Sequence, residues 1–188
     1  MTKKSRRKLA KLGVAPKGEP FKLDLGCGKN PKPGFVGVDS RDFGQAVVCD
    51  LRDTWKWEND SVGEVHCSHF VEHLTAKERI HFANELFRVL APGAKATIIV
   101  PHWASCRAYG DLTHQWPPVS EFWFYYLKRD WREQNAPHND EYTCNFDITW
   151  GYSLHEQVQT RNVEYQQHAI SFFKEAAQDT IATWTKPP

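Results

Sequence analysis

The chain's chemistry-bearing residues cluster where apolar runs end. Leu23-Asp24-Leu25-Gly26-Cys27-Gly28 closes one such run on Gly-x-Gly, with the acid Asp24 two residues before the first glycine. Glycines at that point let the main chain turn sharply and let a ligand lie directly against it. Val36-Gly37-Val38-Asp39 closes the next run on an acid. Taken alone, Asp39 reads as a turn or helix-cap aspartate. Following Gly-x-Gly in the next strand, it is better placed to accept hydrogen bonds from both hydroxyls of a ribose. Pro31 stands where the third glycine of a dinucleotide signature would be, which weighs against a pyrophosphate. Val48-Cys49-Asp50-Leu51 repeats the pattern. There Asp50 could accept from an adenine amino group while Leu51 packs on the ring.

Two further stretches carry titratable groups. His69-Phe70-Val71-Glu72-His73 matches the inverted zinc-peptidase spacing H-x-x-E-H. On a helix, His69 and His73 would share a face and bind zinc, with Glu72 as the base. The plainer alternative has Glu72 and His73 stiffening a loop into the next helix. The motif opens directly from an apolar strand and no third-ligand helix is evident, so no metal is expected. After Pro101 come His102, Asp111 and His114. A histidine near its ordinary pKa can take a proton from an N–H or O–H nucleophile. These three are the candidate catalytic groups, with loop hydrogen bonding as the alternative for each. The segment from His102 to Trp131 is expected to cover the site as a partly mobile lid, hinged at Gly110. Trp103 and Trp116 are its candidate stacking surfaces.

The elements that must position these residues follow from periodicity. Phe21–Gly26, Phe35–Asp39, Ala46–Cys49, Val62–Ser68 and Ala96–Val100 read as short buried strands. Near-continuous apolar runs suit a parallel sheet. Thr75 with Glu78 has capping-box spacing, and Ile80, Phe82, Ala83, Leu86, Phe87 and Leu90 then recur near helical period until Pro92-Gly93. Further helices are expected over Val119–Lys128 and Val163–Ala177, with strands near Phe146–Trp150 and Thr180–Thr185. The fold expected is α/β: a Rossmann-like, doubly wound, mostly parallel seven-stranded sheet with an antiparallel terminal strand. Pro31 and Pro33 forbid a regular helix between Gly28 and Phe35, so the first crossover helix is missing. Leu9 and Leu12 could supply cover from the N-terminal segment.

At 188 residues the chain suits one domain, expected over residues 19–188. Residues 1–18 hold Lys3, Lys4, Arg6, Arg7, Lys8, Lys11 and Lys17 and no acid. Such a basic segment could touch nucleic acid or an anionic surface, or be a solvated terminus. The net charge is only +1, so the domain as a whole does not read as a polyanion binder. No stretch approaches the ~20 apolar residues of a membrane span. The five cysteines are scattered, without C-x-x-C spacing, which points to reduced thiols and a cytoplasmic setting.

Taken in order, these motifs resemble the class I S-adenosylmethionine-dependent methyltransferases. In particular they resemble small members with a Gly-Cys-Gly-Lys-Asn-Pro turn and no first helix. Glu72-His73-Leu74 and the turn Leu90-Ala91-Pro92-Gly93-Ala94 belong to the same resemblance, which runs from Phe21 to Pro101. Ala94 departs from it, standing where those proteins carry a second glycine. The resemblance implies S-adenosyl-L-methionine as cofactor. Gly26 and Gly28 would lie near its methionine part, Asp39 at the ribose, Asp50 and Leu51 at adenine, and Ser68 and His69 beside the sulfonium. Asp24, Cys27 and Ser40 complete the implied cofactor side. The acceptor is not named by the sequence; the aromatic segment and the basic N-terminal residues favour a nucleobase, nucleotide or other small molecule, with nucleic acid a further candidate. A non-catalytic binder of the cofactor or its demethylated product is the competing reading.

Overall fold

The computed structural model describes Lys8 and residues 20–188. The basic segment, with Leu9 and Leu12, lies outside the described residues apart from Lys8. Seven strands form one sheet: β1 (Phe21–Leu25), β2 (Val36–Asp39), β3 (Val47–Val48), β4 (Val62–Ser68), β5 (Leu90–Pro101), β6 (Asp147–Leu154) and β7 (Ala177–Thr185). Their order across the sheet is β3-β2-β1-β4-β5-β7-β6. Strands β1 to β5 run parallel, while β7 is antiparallel to both β5 and β6. The chain steps outward from β1 to β3 and then returns to β4. This puts the topological switch point between β1 and β4, where ligands of open α/β sheets bind.

The main helix, α1 (Ala76–Val89), links β4 to β5. Thr75 caps it as its spacing predicts: its side chain accepts from the Glu78 backbone N–H, and the Glu78 carboxylate accepts from the Thr75 N–H. Arg79, Phe82, Ala83, Leu86 and Val89 form its buried stripe. The helix stops at Val89, before Pro92-Gly93, because β5 begins immediately at Leu90. Gly93, at φ +77°, sits in an irregular stretch of β5 where the pairing jumps from Val62–Leu90 to Glu64–Lys95.

Missing helical cover is not confined to the first crossover. Among the described residues, no helix joins β1 to β2, β2 to β3 or β3 to β4. Bulky side chains fill the third gap instead. Trp55 and Trp57 are almost fully buried, and Trp55 packs edge-on against both Trp57 and Phe82.

Short helices follow β5: α2 (Arg107–Gly110), α3 (Glu121–Tyr126) and α4 (Arg129–Asn135). The expected Val119–Lys128 helix is thus shorter than its pattern, and Lys128, extended at φ −102°, breaks it from α4. Then come α5 (Glu156–Gln159) and α6 (Val163–Phe172), the latter ending before the expected Ala177. The terminal hairpin β6–β7 is longer than either expected strand and seats Trp184 on Trp123, Phe124 and Phe146.

Candidate functional site

A cavity of about 450 Å³ opens beyond the carboxyl ends of β1, β2, β3 and β4. Its volume is in the range typical of small-ligand sites. Six of the ten residues expected on the cofactor side line it: Gly26, Asp39, Ser40, Asp50, Leu51 and His69.

Gly26 is required by the local geometry. Its φ is +66°, and a Cβ there would stand 2.6 Å from the Phe70 ring. Gly28 follows at φ +53°, and its N–H donates to Asp39 Oδ2 at 2.9 Å. Asp39 Oδ1 accepts from the Arg41 N–H at 3.0 Å. Each carboxylate oxygen keeps a lone pair for a ligand. Asp39 therefore both shapes the Gly-x-Gly turn and faces the cavity.

Asp24, Cys27, Gly28 and Ser68 do not line the cavity. Asp24 is instead a buried brace. Its Oδ1 pairs with His66 Nδ1 at 2.7 Å, and its Oδ2 accepts from the Lys32 N–H at 2.7 Å. This ties β1 to β4 and to the helix-free crossover. The partner His66 lies 42 residues away, so sequence spacing gave no sign of it.

Burial, followed by the charges of Asp24 and Asp39, pushes the Cys27 thiol up to about 11. At pH 8 only about one part in a thousand is then thiolate, the reactive form. Iodoacetamide at pH 8 should label exposed Cys106 first and Cys27 far more slowly, with buried Cys67 and Cys144 protected until unfolding. Mass mapping of labelled peptides over time checks this. Equal rates at Cys27 and Cys106 would contradict it.

Asp50 is committed elsewhere. Arg52 grips it bidentately, with Nε to Oδ1 at 2.9 Å and Nη2 to Oδ2 at 2.6 Å, and the Arg52 N–H also donates to Oδ1. The Arg52 hydrogen bond holds the Asp50 carboxyl below its ordinary pKa. Its acceptor positions are filled, so an adenine amino group would have to displace Arg52. Arg41 and Arg52 line the cavity, as do Phe43, Phe70 and Leu74. The sequence signal for these was only adjacency to Asp39, Asp50 and His69.

His69 follows β4 in the left-handed region, at φ +53°, which is strained for a non-glycine residue. Its N–H donates to Ile99 O at 2.9 Å, and its Nδ1 lies 3.2 Å from Glu72 Oε1. The Glu72 hydrogen bond is the main cause raising the His69 pKa. Only a 3-10 turn, Val71–His73, follows. His69 and His73 therefore do not share an α-helical face as the zinc-peptidase pattern requires.

None of the three expected catalytic groups lines the cavity. His102 is 2% exposed and buried outside it. Its Nδ1 accepts from the Ala104 N–H, its Nε2 lies 3.2 Å from Glu121 Oε1, and Tyr152 packs on it edge-on. It is a core histidine that joins α3 to the terminal hairpin. Burial pushes Glu121 up, but its hydrogen bond with His102 and its other polar partners outweigh this and hold it below its ordinary pKa. Asp111 is exposed and accepts from the Thr113 N–H at 2.8 Å and from the Thr113 hydroxyl at 2.7 Å. His114 stands one layer back, its ring edge-on to His73 at 4.7 Å. The residues that reach the cavity here are Thr113 and His73, joined by a 3.0 Å hydrogen bond between Thr113 Oγ1 and His73 Nδ1.

The segment carrying Thr113 and His114 is anchored to the loop after β4. The Gln115 N–H donates to Glu72 O at 2.8 Å, while Arg79 donates to Gln115 O and Pro117 O at 3.0 and 2.6 Å. Trp116, a candidate stacking surface, is 78% exposed and outside the cavity.

No protein-family model and no curated protein matches the sequence. Solved structures do match in fold. A S-adenosylmethionine-dependent methyltransferase from Archaeoglobus fulgidus is 18% identical with a TM-score of 0.63, over 97% of this chain and 91% of that one. The chain has the fold of S-adenosylmethionine-dependent methyltransferases. One from Methanosarcina mazei is 15% identical with a TM-score of 0.54, over 90% and 93% of the two chains. The Burkholderia thailandensis 1,6-didemethyltoxoflavin-N1-methyltransferase, solved with bound 1,6-didemethyltoxoflavin and S-adenosylhomocysteine, is 13% identical. Its TM-score is 0.53, over 92% of this chain and 73% of that one. Among the described residues, no helix is long and apolar enough to cross a membrane.

Proposed function

We propose that the chain is a methyltransferase that binds S-adenosyl-L-methionine in the cavity at the switch point. One observation carries the reading: Asp39 ends β2 facing that cavity, with its carboxylate pinned by the Gly28 and Arg41 N–H groups and lone pairs still free. The fold and the lining fit such a cofactor. Asp39 would accept from the ribose hydroxyls, and Gly26 leaves the main chain bare beside them. Leu51, Phe70 and Leu74 offer apolar surface for the adenine ring, a role better suited to them than to the saturated Asp50 carboxylate. The bound cofactor supplies an activated methyl group on a sulfonium. The protein then has to orient the acceptor and exclude water. On the acceptor side the reading favours Thr113 and His73 over the buried His102, with Asp111 orienting Thr113 through its hydroxyl.

Calorimetry with S-adenosylmethionine tests the reading. Asp39→Ala should weaken binding by ~1–3 kcal/mol, the cost of stranding polar partners. Circular dichroism should show the variant folded. Unchanged affinity in a folded Asp39→Ala protein removes the ribose assignment. Incubating the wild type with nucleosides and other small acceptors, and assaying for S-adenosylhomocysteine, tests turnover. Tight binding without any product would leave a non-catalytic binder.

A further inference from the structure

We propose that Glu72, His73 and His114 bind one divalent first-row transition-metal ion at the edge of the cavity. Each offers a ligand atom, and these atoms lie within 4.8 Å of one another. Two independent features point to a cation there. The first is an orphaned acceptor. Glu72 is 4% exposed, and its Oε2 is buried with no hydrogen-bond partner among the described residues. Its other oxygen already faces His69 Nδ1. A buried carboxylate oxygen without a partner is costly, and a bound cation satisfies it directly.

The second is the protonation imposed on both imidazoles. The Thr113 hydroxyl gives its one proton to Asp111 Oδ1 at 2.7 Å, so toward His73 Nδ1, at 3.0 Å, it can only accept. His73 therefore carries its proton on Nδ1 and leaves the Nε2 lone pair free. His114 Nδ1 faces the carbonyl of Ala108 at 3.2 Å, so it too is the protonated nitrogen, and Nε2, 4.0 Å from Asp111 Oδ2, makes no hydrogen bond among the described residues. Metal-binding histidines are typically oriented in this way, donating one ring N–H to a carbonyl or hydroxyl oxygen. The donors come from two parts of the chain, Glu72 and His73 from the turn after β4 and His114 from the segment after α2, and Arg79 and the Gln115 N–H clamp the two together. Two neutral imidazoles and one carboxylate suit zinc, iron(II), cobalt or manganese and leave coordination positions open.

In the methyltransferase reading, on which this last step rests, those open positions would take an oxygen or nitrogen of the acceptor. The site lies where His73 and Thr113 meet the cavity. Metal binding itself does not depend on that reading.

The test is a titration of the chelator-stripped protein with Co²⁺, followed by visible absorbance without added S-adenosylmethionine. The expected result is one saturable equivalent with ligand-field bands and no thiolate charge-transfer band, which separates this site from the cysteines. Glu72→Gln, which keeps the side chain's shape, and His114→Ala should each weaken binding by about ten-fold or more. His168→Ala, on α6, should not. Co²⁺ should also raise the melting temperature of the wild type but not of Glu72→Gln. Absence of saturable binding, a spectrum dominated by thiolate charge transfer, or unchanged affinity in Glu72→Gln and His114→Ala would overturn the proposal. Cobalt binding without S-adenosylmethionine binding would leave the metal site standing and remove the methyltransferase reading.

Discussion

Replacing Arg79 with methionine should destabilise the protein by about 3 kcal/mol or more, although Arg79 touches neither the cavity nor any exposed surface. Arg79 is 5% exposed. Its guanidinium donates to four backbone carbonyls: Val71 and Glu72 in the loop after β4, and Gln115 and Pro117 in the segment after α2. Methionine preserves the apolar stem but strands those carbonyls, of which the bonds at 2.6 and 3.0 Å are the stronger. Each lost hydrogen bond from a charged donor is worth about 1.5–3 kcal/mol. Burial lowers the Arg79 pKa, yet an arginine stays charged in the physiological range. Urea denaturation should show a lower midpoint with an unchanged slope. Hydrogen exchange should show that the Gln115 amide, bonded to Glu72 O, loses protection before the sheet does. Arg79→Lys should be intermediate, since one ammonium cannot span four carbonyls in two loops. A loss below about 1 kcal/mol for Arg79→Met would mean that the two loops are held by other contacts.

Trp184→Ala should cost about 3–5 kcal/mol. Trp184 is fully buried in β7, opposite Ala96 of β5 and Ile148 of β6. Its ring meets those of Phe146 and Trp123, both at 5.4 Å, and of Phe124 at 6.0 Å. Removing it leaves a cavity bounded by the sheet and α3, and such surroundings cannot collapse far. Trp184→Phe is the informative companion. The indole Nε1 has no hydrogen-bond partner among the described residues, so phenylalanine gives up no polar contact and relieves a buried donor. It should cost less than about 1.5 kcal/mol. Thermal melts of both variants check the pair. Equal losses would show that ring volume is not what holds the hairpin to α3.

What could be read from the sequence was local. A strand ending in Gly-x-Gly, an acid closing the next strand and the Thr75–Glu78 cap each depend on neighbours within a few residues. Gly26 and Asp39 accordingly line the cavity, and α1 starts at the cap its spacing implied. The two prolines of the first crossover excluded a helix by backbone sterics alone. What the sequence could not reveal were roles set by partners far along the chain. Asp24 looks like a ligand residue beside the glycines, but His66, 42 residues on, makes it a brace. Asp50 is a different case: its partner Arg52 is only two residues on, but spacing does not reveal that the Arg52 side chain folds back onto both carboxylate oxygens. His102 looks accessible after β5, but Glu121 and Tyr152 enclose it only once α3 and the hairpin dock. The meeting of Glu72, His73 and His114 arises from the same long-range closure. It requires the loop after β4 and the segment after α2 to be stitched together by Arg79. Local propensity determines where the chain turns. Which side chains then share a volume is decided by how the layers pack, and hydrogen-bond satisfaction in that volume settles which of them remain free to act.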